Sequence, residues 1–152
     1  MSDPSRRDFL AATAAVGAAS LVAPSGFGAW ESIQAAAPGK TINIGLIGAG
    51  GRGSGAANDS LSINPNVRIV AIADLDVEKA RGVRDALAEA HNAKDGPKKV
   101  DVADDRIFGG IDGYQRVLDL KDVDLVILAT APGFRHVHIT AAVAARKHIF
   151  AE

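Results

Sequence analysis

The 152 residues carry 17 Lys plus Arg against 18 Asp plus Glu, are 47% apolar and 23% charged, and include no cysteine. That length suits one ordinary domain, the composition excludes disordered and fibrous classes, and a net charge near zero excludes a broad basic face for nucleic acid. The absence of cysteine excludes a disulfide scaffold and any thiolate metal or nucleophile site, and an aromatic content of 5% leaves the core to Val, Ile, Leu and Ala.

At the N-terminus, Ser5-Arg6-Arg7-Asp8-Phe9-Leu10 precedes an Ala-, Val-, Leu- and Gly-rich run from Ala11 to Ala23. A pair of arginines, then Phe-Leu, then a weakly apolar run resembles a bacterial twin-arginine export signal. The alternative is an Ala-rich leader with two chance arginines. The run is too short and too rich in Ala to form a stable membrane span. Ala35-Ala36-Ala37 offers small residues to a signal peptidase just before Pro38. Residues 1–37 are therefore set aside as an export leader, which implies a periplasmic or secreted product, and the folded part is expected over 38–152.

From Thr41 to Ile47 a β-branched segment runs into glycines, as a buried strand does before a turn. Residues 52–62, with Ser54, Gly55, Ala56 and Ala57, predict a closely packed helix, and Pro65-Asn66 a turn. Val67 to Ala73 is a second strand. Asp76 is placed to cap a helix whose apolar stripe is Val77, Ala80, Val83, Leu87 and Ala90. The polar stretch 91–106, with Gly96-Pro97 and Lys98-Lys99, predicts a loop that covers no core. Ile107-Phe108 is a short third strand, and Asp112 with Gln115 predicts a capping box opening a helix through Leu120. Val123 to Ala129 is the most apolar strand. A helix over Phe134–Arg146 should turn Ile139, Val143 and the neighbouring alanines inward, and His148 to Ala151 is a fifth strand. Alternating strands and helices with nearly continuous apolar strands predict an α/β fold, a Rossmann-type doubly wound parallel sheet of about five strands covered on both faces.

The segment Gly48-Ala49-Gly50-Gly51-Arg52-Gly53 places G-x-G-x-x-G between the first strand and the first helix. Gly48 permits the tight turn, Gly50 lets backbone approach a pyrophosphate, and Gly53 lets helix and strand pack closely. The helix N-terminus then offers free N–H groups to the phosphates. Asp74 ends the second strand about 20 residues later, where a carboxylate can accept both ribose hydroxyls. The acid favours NAD over NADP, a preference that Arg52 beside the loop would soften. Asp76 is read as a cap and not as a ribose ligand. His91 is read as a surface residue and His148 as a strand-entry residue. His136 and His138, two apart on a helix, point to different faces, so no metal site is expected.

Three segments, Ile44 to Gly53, Ala71 to Asp76 and Ala129-Thr130-Ala131-Pro132, together with Ile149-Phe150-Ala151-Glu152, resemble the N-terminal domain of the Gfo/Idh/MocA family. The resemblance covers Lys40 to Glu152. It implies NAD(P)-dependent oxidoreduction of sugars, polyols and related small molecules, and some members carry twin-arginine signals. It also implies that the loop carrying Thr130 and Pro132 lies beside the nicotinamide ribose, although Ala131 is inserted relative to the family's Ala-Thr-Pro. His136 corresponds to a His common after that loop, and Glu152 to the Glu of the family's Glu-Lys-Pro. The Lys associated with catalysis there would follow Glu152, as would a sixth strand and a substrate domain.

The cofactor-binding set is accordingly Gly48, Gly50, Gly51, Arg52, Gly53, Asp74, Thr130, Pro132 and Glu152, with no catalytic residue and no metal ligand assigned. The expected partners are the dinucleotide and, in a full-length form, a sugar or polyol. The segment alone is expected to be inactive and not to form an oligomer. Two other classes remain open at this point: a nucleotide-binding regulatory module, and an S-adenosylmethionine-dependent methyltransferase domain, which also pairs a glycine loop with an acid after the second strand.

Overall fold

A computed structural model describes residues 39–152 of the chain; the predicted leader, 1–37, lies outside the described residues. The elements run β1 (Ile42–Ile47), α1 (Gly51–Ile63), β2 (Val67–Asp74), α2 (Val77–His91), a 3₁₀ turn (Asp104–Arg106), β3 (Ile107–Gly109), α3 (Gly113–Leu118), β4 (Leu125–Leu128), α4 (Pro132–Ala144) and β5 (His148–Ala151). The five strands form one parallel sheet in the order β3-β2-β1-β4-β5. The order reverses between β1 and β4, and in an open α/β sheet ligands bind in the crevice at that reversal, beyond the carboxyl ends of the strands.

Each face of the sheet has its own core. On one face Ile44, Leu46, Ile69, Ile72 and Ile127 meet Ala57 and Leu61 of α1 and Ala80 and Leu87 of α2. On the other face Ile47, Val70, Ala71, Ala73, Val126 and Leu128 meet Val117 and Leu118 of α3 and Ala142 of α4. Strand side chains alternate between faces, but Val70 and Ala71 share one. The cause is a bulge: Ile44 pairs with Ile69, and the next residue, Gly45, pairs with Ala71.

The loop after α2 departs from expectation. Val100 and Val102 are buried in the first core, and Val100 bridges Ile69 of β2. Asn92, the residue after α2, organises this segment. Its side-chain carbonyl accepts the N–H groups of Lys99 and Val100, both at 2.9 Å, and its amide donates to the Val100 carbonyl at 2.9 Å. A polar loop can therefore contribute two valines to the core, because one amide side chain satisfies the backbone it buries.

Three smaller expectations also change. Asp112 precedes α3 but makes no side-chain cap, and the Gln115 amide donates to the Tyr114 hydroxyl. Helix α4 starts at Pro132, where a ring nitrogen without N–H is at no disadvantage; His138 and Ala142 are buried, Ile139 packs against the second core as expected, and Val143 is 62% exposed. In α2 the last inward position falls to Leu87, with Ala88 packed beside it and Ala90 exposed.

Candidate dinucleotide site

Strand β1 ends at Ile47, and Gly48 turns the chain with φ of +98°, a left-handed conformation open to glycine. Its N–H donates to the Ala73 carbonyl at 2.8 Å, tying the turn to β2. A Cβ on Gly48 would lie 2.7 Å from the Ala129 carbonyl oxygen, and one on Gly53 would lie 1.9 Å from the Gly48 carbonyl oxygen. These two glycines are fixed by the protein's own backbone.

Gly50 and Gly51 are different. Gly50 has φ of −75°, which any residue adopts, and a Cβ there would meet only the Lys79 ammonium, at 3.7 Å. A Cβ on Gly51 would meet nothing within 4 Å. Neither strain nor packing within the described residues calls for glycine at these two positions.

They stand at the start of α1, which has no side-chain cap and no acidic residue in its first turn. Its first helical bond runs from the Ser54 N–H to the Gly50 carbonyl at 2.8 Å. The N–H groups of Gly51, Arg52 and Gly53 are thus the unsatisfied donors of a helix start, a ready anion site.

Asp74 closes the other side. Its carboxylate accepts the Ala49 N–H at 2.7 Å and the Asp76 N–H at 3.1 Å, so the acid is braced by the glycine loop and by the start of the next turn. Gly48, Gly50, Asp74 and Thr130 line one open cleft of about 240 Å³ at the carboxyl ends of β1, β2 and β4. Of the other residues assigned from sequence, Gly51, Arg52 and Gly53 form the first turn of α1, and Pro132 opens α4; none of them lines the cleft. Glu152 lies beyond β5, where its carboxylate pairs with Arg52 at 3.1 Å; Arg52 is 81% exposed.

The cleft also holds side chains that the sequence did not single out. Lys79 reaches it from the first turn of α2, and Leu75, Ile111 and Phe134 give it apolar walls. Tyr114 and His138 line it as well, their ring centroids 4.2 Å apart. His138 is buried and its Nδ1 lies 3.0 Å from the Thr130 hydroxyl. Burial, and secondarily the charge of His136, push the His138 imidazole below the usual histidine range. Arg135 donates to the Thr130 carbonyl at 3.3 Å and to the Glu152 carbonyl, which holds the ends of β4 and β5 together. Among the described residues there is no group of His, Asp and Glu able to hold a metal ion.

The group these features fit is a dinucleotide. The uncapped helix start suits a diphosphate, the two unforced glycines leave it room, and the braced carboxylate suits ribose hydroxyls. In class, then, the described region is a dinucleotide-binding Rossmann domain. Its sequence matches the Gfo/Idh/MocA profile, an oxidoreductase family with an NAD-binding Rossmann fold, over residues 42–152, and the chain belongs to that family. The cofactor class of the domain is accordingly NAD. A twin-arginine translocation signal profile matches residues 3–23, in agreement with the leader read from the arginine pair.

Among curated proteins, a glycosyl hydrolase family 109 protein from Streptomyces coelicolor is 29% identical over 112 residues, which is 74% of this chain and 22% of that protein. Among solved structures, myo-inositol dehydrogenase from Lactobacillus casei, in complex with NAD(H) and myo-inositol, superposes with a TM-score of 0.57. It is 19% identical, over 73% of this chain and 28% of that one. A 3-ketoreductase from Actinomadura kijaniata, in complex with NADP and TDP-benzene, superposes with a TM-score of 0.53 at 22% identity, over 74% and 29%. The chain therefore spans between a fifth and a third of the length of these relatives.

Proposed function

We propose that residues 38–152 are the cofactor-holding domain of an exported oxidoreductase acting on a sugar, polyol or related small molecule, with residues 1–37 as its export leader. The observation that carries this reading is the pair Gly50 and Gly51, glycines that nothing in the described protein requires, at an uncapped helix start facing Asp74. A ligand that needs close backbone approach accounts for them. The substrate class is supported by relatives named for glycosyl hydrolysis and for inositol oxidation. No observation favours the regulatory-module or methyltransferase alternatives.

In this reading Gly48, Gly50, Gly51, Arg52 and Gly53 receive the diphosphate, and Asp74 receives the adenosine ribose. Thr130 and Pro132 border the nicotinamide ribose, and Glu152 stands at the end of β5 behind them. The bound dinucleotide supplies the nicotinamide that exchanges hydride; the chain's own residues fix where its phosphates and sugars lie.

The test is equilibrium titration of the full chain with NAD. Asp74→Ala should weaken binding by roughly ten- to a hundredfold, the loss expected when a charged hydrogen-bond partner is removed. Superimposable titration curves for parent and variant would remove Asp74 from the site. For export, Arg6→Lys with Arg7→Lys should leave a fused reporter in the cytoplasm, and undiminished export of that double variant would refute the leader.

A further inference from the structure

His138 lines the cleft, is 7% exposed, and makes no ion pair among the described residues. Its ring packs against Tyr114 of α3, centroids 4.2 Å apart, and lies nearly parallel to Phe134, one turn earlier on α4, at 6.4 Å. Its Nδ1 is 3.0 Å from the Thr130 hydroxyl oxygen, and among the described residues this is the single side-chain hydrogen bond of either residue. Arg135, on the same helix, donates to the Thr130 carbonyl at 3.3 Å. Helix α4 therefore holds Thr130 twice, by its backbone and by its hydroxyl.

A hydroxyl carries one proton and two lone pairs, and a neutral imidazole accepts at one of its nitrogens. Burial keeps the His138 imidazole below the usual histidine range, and so neutral at neutral pH. Its Nδ1 is the acceptor within reach of the Thr130 proton. With that proton spent on α4, the Thr130 lone pairs are left for the cleft, where a sugar hydroxyl can donate to them. The other titratable and charged groups around the ring are Tyr114, whose hydroxyl accepts the Gln115 amide, His136 and Arg135 on α4, and Asp74 and Lys79, which line the same cleft.

We infer that His138 is a positioning residue for cofactor binding: by accepting the Thr130 proton at Nδ1, it fixes Thr130 Oγ1 as the acceptor for a hydroxyl of the nicotinamide ribose. This rests on the dinucleotide reading of the cleft and adds to it the residue that sets the polarity of that contact. A second proton on the imidazole reverses the arrangement. Nδ1 then donates to Oγ1, and the Thr130 hydrogen turns toward the hydroxyl from which its oxygen had accepted.

The experiment is equilibrium titration of the full chain with NAD across neutral and acidic pH. It compares the parent, Thr130→Val, His138→Leu, the double variant and His138→Asn, each checked for folding by thermal melting at every pH. His138→Leu should weaken NAD about three- to tenfold at neutral pH, the loss of one uncharged hydrogen bond. Thr130→Val should lose a similar factor, and the double variant no more than either, since the two side chains act as one. His138→Asn keeps an acceptor near the place of Nδ1 and should recover most of the affinity that His138→Leu loses. Parent affinity should fall as the pH drops below the usual histidine range and the imidazole takes its second proton, and His138→Asn should lack that fall. Additive losses in His138→Leu and Thr130→Val overturn the inference, as does a parent pH profile that His138→Asn reproduces. Where His138→Leu does not fold, the profiles of the parent and His138→Asn decide. NAD bound equally by the parent, His138→Leu and Thr130→Val overturns this inference alone. A parent chain that binds no NAD at neutral pH overturns the dinucleotide reading and this inference together.

Discussion

Helices α1 and α2 each follow a central strand of the same sheet, and their N-termini are built in opposite ways. Helix α2 is closed by the protein: Asp76 accepts the N–H groups of Glu78 and Lys79, at 3.0 and 3.4 Å, and Glu78 adds negative charge to the first turn. Helix α1 has Gly50 in the capping position, no side-chain acceptor and no acid in its first turn. One start has its donors and its dipole satisfied internally; the other leaves both open beside a cleft. The difference separates a helix end made for stability from one made for binding, and it needs no ligand in place to be seen.

The contrast can be broken by giving α1 what α2 has. Gly50→Asp fits the backbone at φ of −75° and would place a carboxylate over the free N–H groups, near Lys79. It should abolish measurable NAD binding and raise stability by about 0.5–1 kcal/mol through the new cap. Calorimetric titration beside a denaturation curve reads both effects. NAD binding at parent strength in a folded Gly50→Asp chain would remove the α1 start from the site. The reverse change is smaller. Asp76→Ala should cost about 1 kcal/mol of stability, the usual loss of a cap, with NAD affinity changed less than threefold. If Asp76→Ala instead lost NAD binding with its stability intact, the acid would belong to the site and the division between the two helix starts would fail.

Much of this arrangement was legible in the sequence, and for local reasons. The strands announce themselves by β-branched runs, and the turn by glycines in a spacing that only a strand–turn–helix uses well. The parallel sheet covered on both faces follows from the alternation of strands and helices. What the sequence hid depends on contacts between distant segments. Val100 and Val102 sit in a polar stretch, and their burial is arranged by Asn92, whose side chain stands in for strand partners. The two-residue spacing puts His136 and His138 on different helix faces but does not say that His138 is the buried one. Its place depends on the Thr130 hydroxyl satisfying its ring nitrogen and on Tyr114 packing against it. On the last helix the expected inward alanines hold, with Ala142 fully buried and Ile139 packed beside it, while Val143 is exposed. A lysine in the first turn of a helix looks like any solvated surface charge, and only the fold shows Lys79 lining the cleft.

The bulge between β1 and β2 has a consequence for the carboxylate four residues beyond it. Along a strand, side chains obey parity, and one extra residue inverts it from that point onward. Ile69 faces the α1 and α2 side, Val70 and Ala71 both face away, and Ile72 returns to the first side. Asp74, two residues after Ile72, comes up on that same side, within reach of Ala49 and the glycine loop. With the count even, the same acid would emerge on the far face of the sheet, at the same height and equally charged, with its back to the loop. The phase of the strand, as much as the identity of the residue, is what makes Asp74 a partner of the glycines.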